Sequence, residues 1–102
     1  MSADDDTRDA FHVPVDGLLD LHAFSPRDVK SVVDEYVTAA HERGLREIRV
    51  VHGRGRGVQR GIVQAALERH RLVAWFRDDP DSHLGATIAR LIDPPASPRR
   101  AG

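Results

Sequence analysis

The chain has 102 residues, of which 40% are hydrophobic and 30% charged, with a formal net charge of −1 and no cysteine. That is one small soluble domain with a single core, and the composition excludes a membrane span, a disulfide framework, a thiolate metal site and a cysteine nucleophile. Near-neutral charge also rules against holding nucleic acid by bulk charge, so any such contact has to be local.

Asp4, Asp5, Asp6 and Asp9 make residues 1–12 an acidic polar tail, and with aspartates where a signal segment would be apolar, the cytoplasm is the expected compartment. Residues 13–17 lead in, and Leu18-Leu19-Asp20-Leu21-His22 reads as a short strand with Leu19 and Leu21 on one face and Asp20 and His22 on the other. Ser25-Pro26 starts a helix, with Ser25 as cap, Pro26 in the first turn and Asp28 in the capping-box place. Val29, Val32, Val33, Tyr36, Val37 and Ala40 form its buried stripe, and Arg43-Gly44 stops it. Ile48 to Val51 is a β-branched strand. A second helix runs from Val58 to near His70, with Val58, Ile62, Ala65 and Ala66 as its apolar face. Leu72 to Phe76 is a third strand, Asp78-Asp79-Pro80-Asp81 a turn and Gly85 to Ile92 a fourth strand. A tail with Pro94, Pro95 and Pro98 follows, so the folded domain covers residues 13–93 and the flexible C-terminal tail residues 94–102. The order β-α-β-α-β-β predicts an α/β domain with parallel strands at its start, built as a two-layer sandwich with one sheet face mostly open.

Two constellations carry chemistry. After Val50-Val51-His52, the stretch Gly53-Arg54-Gly55-Arg56-Gly57 alternates glycine with arginine and opens a helix. Glycine lets backbone amides approach a ligand, a helix N-terminus adds partial positive charge, and guanidinium groups complete a phosphate cradle. No acid lies between Glu47 and Glu68, whereas Arg49, Arg54, Arg56 and Arg60 do. The plainer reading is a connecting turn with solvated arginines. Fourteen arginines against one lysine also mean that the choice of arginine carries no weight by itself.

The second constellation is Asp20 and His22, at the carboxyl end of the first strand as His52 is at that of the second. Ligands of open α/β sheets bind there. A carboxylate beside an imidazole makes the histidine a general base or acid; the alternative has Asp20 capping a loop and His22 half exposed. Asp20, His22 and His52 also offer three donors that suit manganese or zinc, although no compact zinc spacing and no two-metal carboxylate cluster is present. The turn lacks the Lys-Ser/Thr of a Walker loop and departs from the dinucleotide fingerprint, so no nucleotide cofactor is expected. Trp75 and Phe76, in an apolar strand, read as core or edge packing rather than as a base-stacking platform, and His12, His41, His70 and His83 as surface or helix-end residues.

Asp20-Leu21-His22 within Leu-Asp-Leu-His, followed some thirty residues later by His52-Gly53-Arg54-Gly55, resembles the Smr (small MutS-related) domain family. The likeness extends through Gly57 and the next helix, Val73 to Phe76, and Gly85-Ala86-Thr87-Ile88, roughly residues 15–92. It implies a mixed four-stranded sheet with an antiparallel last strand, similar to the C-terminal domain of a translation initiation factor, in a short stand-alone form of bacterial type. Two positions depart from the family pattern: Ala23 stands where a glycine is usual, and Ser82-His83-Leu84 replace a glycine pair before the last strand.

The resemblance implies an endonuclease that nicks DNA or cleaves RNA, in DNA repair, recombination or RNA quality control. Catalysis falls to Asp20, His22 and His52, and phosphate binding to Gly53, Arg54, Gly55, Arg56, Gly57 and Arg60. The expected partner is DNA or RNA, with protein partners also open, no membrane, and a monomer as the default. A divalent cation such as manganese or magnesium is the cofactor left open. The rival is a binding or protein-interaction module without catalysis.

Overall fold

The first helix follows from its apolar spacing. The computed structural model describes residues 14–53 and 57–93, and in it Val29, Val32, Val33, Tyr36, Val37 and Ala40 form one buried stripe of α1 (Val29–Glu42). Gly44 N–H donates to the His41 carbonyl and Leu45 N–H to the Ala40 carbonyl, each at 3.0 Å, which is the Schellman ending that Arg43-Gly44 signals. At the other end the expectation needs correcting. Pro26–Asp28 forms a separate 3-10 turn, and the Ser25 hydroxyl donates to the Asp28 carboxylate at 3.3 Å instead of capping a backbone amide.

Four strands, β1 (Leu18–Asp20), β2 (Glu47–Val51), β3 (Val73–Asp78) and β4 (Ala86–Leu91), form one sheet in the order β1-β2-β4-β3. β1 and β2 are parallel, and β4 runs antiparallel to both β2 and β3. Leu19, Ile48, Val50, Ala89 and Leu91 point to one side and join the α1 stripe and Val63, Ala66 and Leu67 of α2 (Val58–Arg69) in a single core. Both helices therefore cover the same sheet face. Among the described residues no helix covers the opposite face, which bears Leu18, Arg49, Trp75 and Arg77 and on which Ala86, at the start of β4, is buried; the face is mostly open, as the two-layer reading predicts.

Three further expectations change. β1 stops at Asp20, and Leu21–Ala23 turn into a 3-10 segment, because the Asp20 side chain accepts the His22 backbone N–H and takes it from the ladder. α2 is rotated from its anticipated phase: Val63, Ala66 and Leu67 are buried, Ile62 packs partly, Val58 is 61% exposed and Ala65 is exposed. Small residues around the whole helix left its phase to be decided by packing against β3 and β4. Finally, β3 starts at Val73, runs to Asp78, and carries an irregularity between Val73 and Trp75 that shifts the register by one residue. Val73 and Phe76 then both reach the core, while Trp75 and Arg77 face outward. Residues 1–13, 54–56 and 94–102 lie outside the described residues, and with them the two tails and the expectations for Arg54, Gly55 and Arg56.

Candidate functional site

At the carboxyl end of β1, Asp20 Oδ1 accepts the His22 backbone N–H at 2.9 Å and lies 2.5 Å from His22 Nδ1. Strand alternation does not create this pair; a side-chain-capped turn does. Asp20 both caps and orients. The two hydrogen bonds from His22, the backbone one foremost, hold the Asp20 carboxyl below its ordinary range, so it stays a carboxylate. Nδ1 donates to that carboxylate, which leaves Nε2 of the neutral ring as a proton acceptor on a side chain 75% exposed.

β2 lies beside β1 with Asp20 paired to Val51, so His52 sits at the same end of the sheet. Its side chain goes the other way. His52 is only 7% exposed, with Nδ1 2.9 Å from the Gly53 carbonyl and Nε2 2.9 Å from Thr87 Oγ1. A carbonyl only accepts, so Nδ1 is the donor, and in that tautomer Nε2 accepts the hydrogen bond of the Thr87 hydroxyl. Thr87 Oγ1 in turn accepts the Gln64 amide at 3.0 Å, which also donates to Asp78 Oδ1 at 3.0 Å. Arg60 closes the chain with two bonds to Asp78, Nε to Oδ1 at 2.7 Å and Nη2 to Oδ2 at 2.8 Å. The Arg60 guanidinium, and behind it Gln64, draws the Asp78 carboxyl below its usual value.

Among the described residues no hydrogen bond joins His52 to Asp20 or His22, and Arg60, expected at a phosphate, has two of its nitrogens on Asp78. The network instead holds the entrance of the glycine-arginine turn. Gly85 O accepts both His52 N–H at 3.1 Å and Gly53 N–H at 2.9 Å, tying the turn to the start of β4. Gly53 (φ +82°) and Gly57 (φ +81°) both occupy the left-handed region with open space where a Cβ would be, so the demand for glycine is conformational. The three-donor metal reading does not survive this geometry: with both His52 nitrogens engaged, no group of three His, Asp or Glu donors forms among the described residues.

Thr87, Gln64 and Asp78 escaped the sequence reading. Parity carried a signal: Ile48, Val50 and His52 alternate inward, so His52 belongs to the core side of β2. The missing glycine pair is absorbed in the β3–β4 turn, where His83 (φ +53°) and Leu84 (φ +70°) take left-handed conformations. That turn is anchored by buried Asp79, whose side chain accepts the Asp81 N–H and pairs with Arg49, and by the Ser82 hydroxyl, which accepts the Gly85 and Ala86 N–H groups. No helix among the described residues is long and apolar enough to cross a membrane.

The family model described as "Smr domain" matches residues 19–91, enclosing both the Asp20–His22 pair and the turn from His52 to Gly57. The chain belongs to the Smr domain family. This Smr domain is 37% identical over 81 residues to endonuclease MutS2 of Caldicellulosiruptor saccharolyticus, covering 78% of the chain and 10% of that protein. Against endonuclease MutS2 of Brevibacillus brevis it is 36% identical over 75 residues, covering 72% of the chain and again 10% of the relative. The chain thus spans about a tenth of the length of these curated relatives. Among solved structures, the Smr domain of Thermus thermophilus MutS2 superposes with a TM-score of 0.70 at 30% identity, covering 74% of this chain and 96% of that one. YdaL, a stand-alone small MutS-related protein from Escherichia coli, shares the fold, with a TM-score of 0.68 at 23% identity over 76% of this chain and 66% of its own.

Proposed function

We propose that this Smr domain binds DNA or RNA and cleaves the phosphodiester backbone as an endonuclease, with His22 as the proton-transfer group. The observation that carries this reading is the exposed His22 ring with Nδ1 held by a depressed carboxylate and Nε2 left to the solvent side. In the proposed step Nε2 takes the proton of the attacking oxygen, from water or from an RNA 2′-hydroxyl. The attacking oxygen bonds to phosphorus as the bond to the leaving oxygen breaks on the opposite side; the leaving oxygen takes its proton from water, and the imidazolium gives its own back to solvent. Amides of the Gly53–Gly57 turn with Arg54 and Arg56 are proposed to hold the phosphate and stabilise developing charge. Arg60 and His52 support this reading as positioning residues, through Asp78 and Thr87. Similarity to about a tenth of proteins named endonuclease MutS2 points the same way.

A second reading, binding without cutting, is favoured by the engagement of both His52 nitrogens, which takes one of the two histidines expected in catalysis out of proton transfer. The deciding experiment incubates the protein with supercoiled plasmid and with structured RNA, each with manganese, magnesium or chelator, beside His22→Ala. Nicked circles or RNA fragments that vanish in the variant support the nuclease. Equal cutting by the variant overturns the role of His22, and binding without any cutting supports the second reading.

A further inference from the structure

The nuclease reading uses one end of the sheet and leaves its uncovered face unexplained. We propose that this face is a track for single-stranded nucleic acid, leading from the Asp20–His22 pair to a base-stacking platform at Trp75. The inference rests on the reading of the domain as nucleic-acid-binding and specifies the form of that ligand.

Register lays out the track. Asp20, Val51 and Ala86 form the row next to the candidate site; Leu18, Arg49, Ile88 and Arg77 form the next; Glu47, Arg90 and Trp75 form the far one. Three interstrand steps, about 14 Å, and four residues along β2, about 13 Å, separate Asp20 from Trp75, so the diagonal is about 20 Å. Trp75 is 46% exposed, although its neighbour Phe76 packs against the core. The register shift at Val73/Trp75 is what turns the indole outward. The Arg77 guanidinium lies 5.8 Å from its ring centroid, within range of a cation–π contact.

Charge on the face agrees with a nucleic acid in modest contact. Glu47 faces Arg90 at 4.0 Å, and Asp79 binds Arg49 through Nε, while no ion pair joins Arg77 to an acid among the described residues. Over the whole face the acids Asp20, Glu47 and Asp79 balance Arg49, Arg77 and Arg90, and in its middle Arg77, whose charge also reaches Asp79, stands beside an exposed aromatic ring and the half-buried Ile88. An indole with an adjacent guanidinium stacks unpaired bases of any sequence. A duplex, whose bases are already stacked on one another, has no use for it.

Trp75 is the only tryptophan in the chain, so it reports directly on the track. The experiment titrates the whole protein with a single-stranded oligonucleotide of about 12 nucleotides, a length within the range such grooves hold, as DNA and as RNA, and with the matching DNA duplex. Indole emission and oligonucleotide anisotropy are followed together. Saturable quenching by the single strands and little by the duplex is expected. Trp75→Ala should weaken single-strand binding roughly five- to hundredfold, Trp75→Phe should recover most of it, and Arg77→Gln should weaken it less than Trp75→Ala. Circular dichroism verifies that each variant is folded. Oligonucleotide binding that leaves the emission unchanged and survives Trp75→Ala overturns the track while leaving the nuclease reading intact. No binding to any of the three ligands overturns both. Loss of self-association in Trp75→Ala, with nucleic-acid affinity unchanged, assigns the face to a second protein copy instead.

Discussion

His22 and His52 follow neighbouring parallel strands and reach the same end of the sheet, yet they meet opposite fates. His22 is three-quarters exposed and among the described residues has one hydrogen-bond partner for its ring, a carboxylate two residues away. His52 is buried and both its nitrogens are claimed, one by a backbone carbonyl and one by Thr87. The contrast teaches how a strand end divides labour. The side chain that leaves the ladder through a turn is free for chemistry, whereas the one that keeps the inward parity of its strand becomes scaffold.

The sharpest way to break that comparison is to exchange the two histidines' losses. His22→Ala should reduce cleavage by about 10²–10⁴-fold, the usual contribution of a positioned general base, with the melting temperature unchanged. A kinetic assay paired with calorimetry tests both halves. Thr87→Val should do the reverse. It leaves His52 Nε2 without its donor and takes from Gln64 one of its two acceptors, so chemical denaturation should show a loss of about 1–3 kcal/mol. Cleavage should fall only as far as the turn loosens. If Thr87→Val is as stable as the parent, the buried network is not what holds the turn.

Asp20→Asn keeps an oxygen for the His22 amide and removes the charge facing the imidazole. Exchanging a charged for a neutral acceptor is worth about 1 kcal/mol, so roughly a fivefold slower reaction is expected. No change in rate would reduce Asp20 to a cap. The smallest effect is in acid. The Asp78 carboxyl is depressed below its ordinary value of 3.8 by Arg60, so its contribution is complete above that pH and is lost as pH falls through the depressed value. Melting temperatures of the parent measured from about pH 5 down to about pH 2 should therefore decline. Asp78→Asn should start lower and decline less. Parallel curves for the two proteins would show that the Arg60–Asp78 pair adds nothing to stability.

Much of this was legible from residues 14–93. The stripe of α1, its Arg43-Gly44 ending, the succession of strands and helices along the chain and the pairing of Asp20 with His22 all rest on local signals: apolar spacing, turn chemistry, and side chains two residues apart. The long-range chain from His52 through Thr87, Gln64 and Asp78 to Arg60 does not, since its members lie up to 35 residues apart and meet only when β4 inserts between β2 and β3. The phase of α2 and the outward turn of Trp75 were likewise undecided by pattern. One helix has small residues on several sides, and one strand slips its register by a residue, so packing against the rest of the sheet chose the face. Local chemistry therefore determined where the exposed histidine and its carboxylate would be. Only tertiary structure decided which histidine is scaffold and which face of the sheet stays open, because burial and strand order are properties of elements distant in sequence.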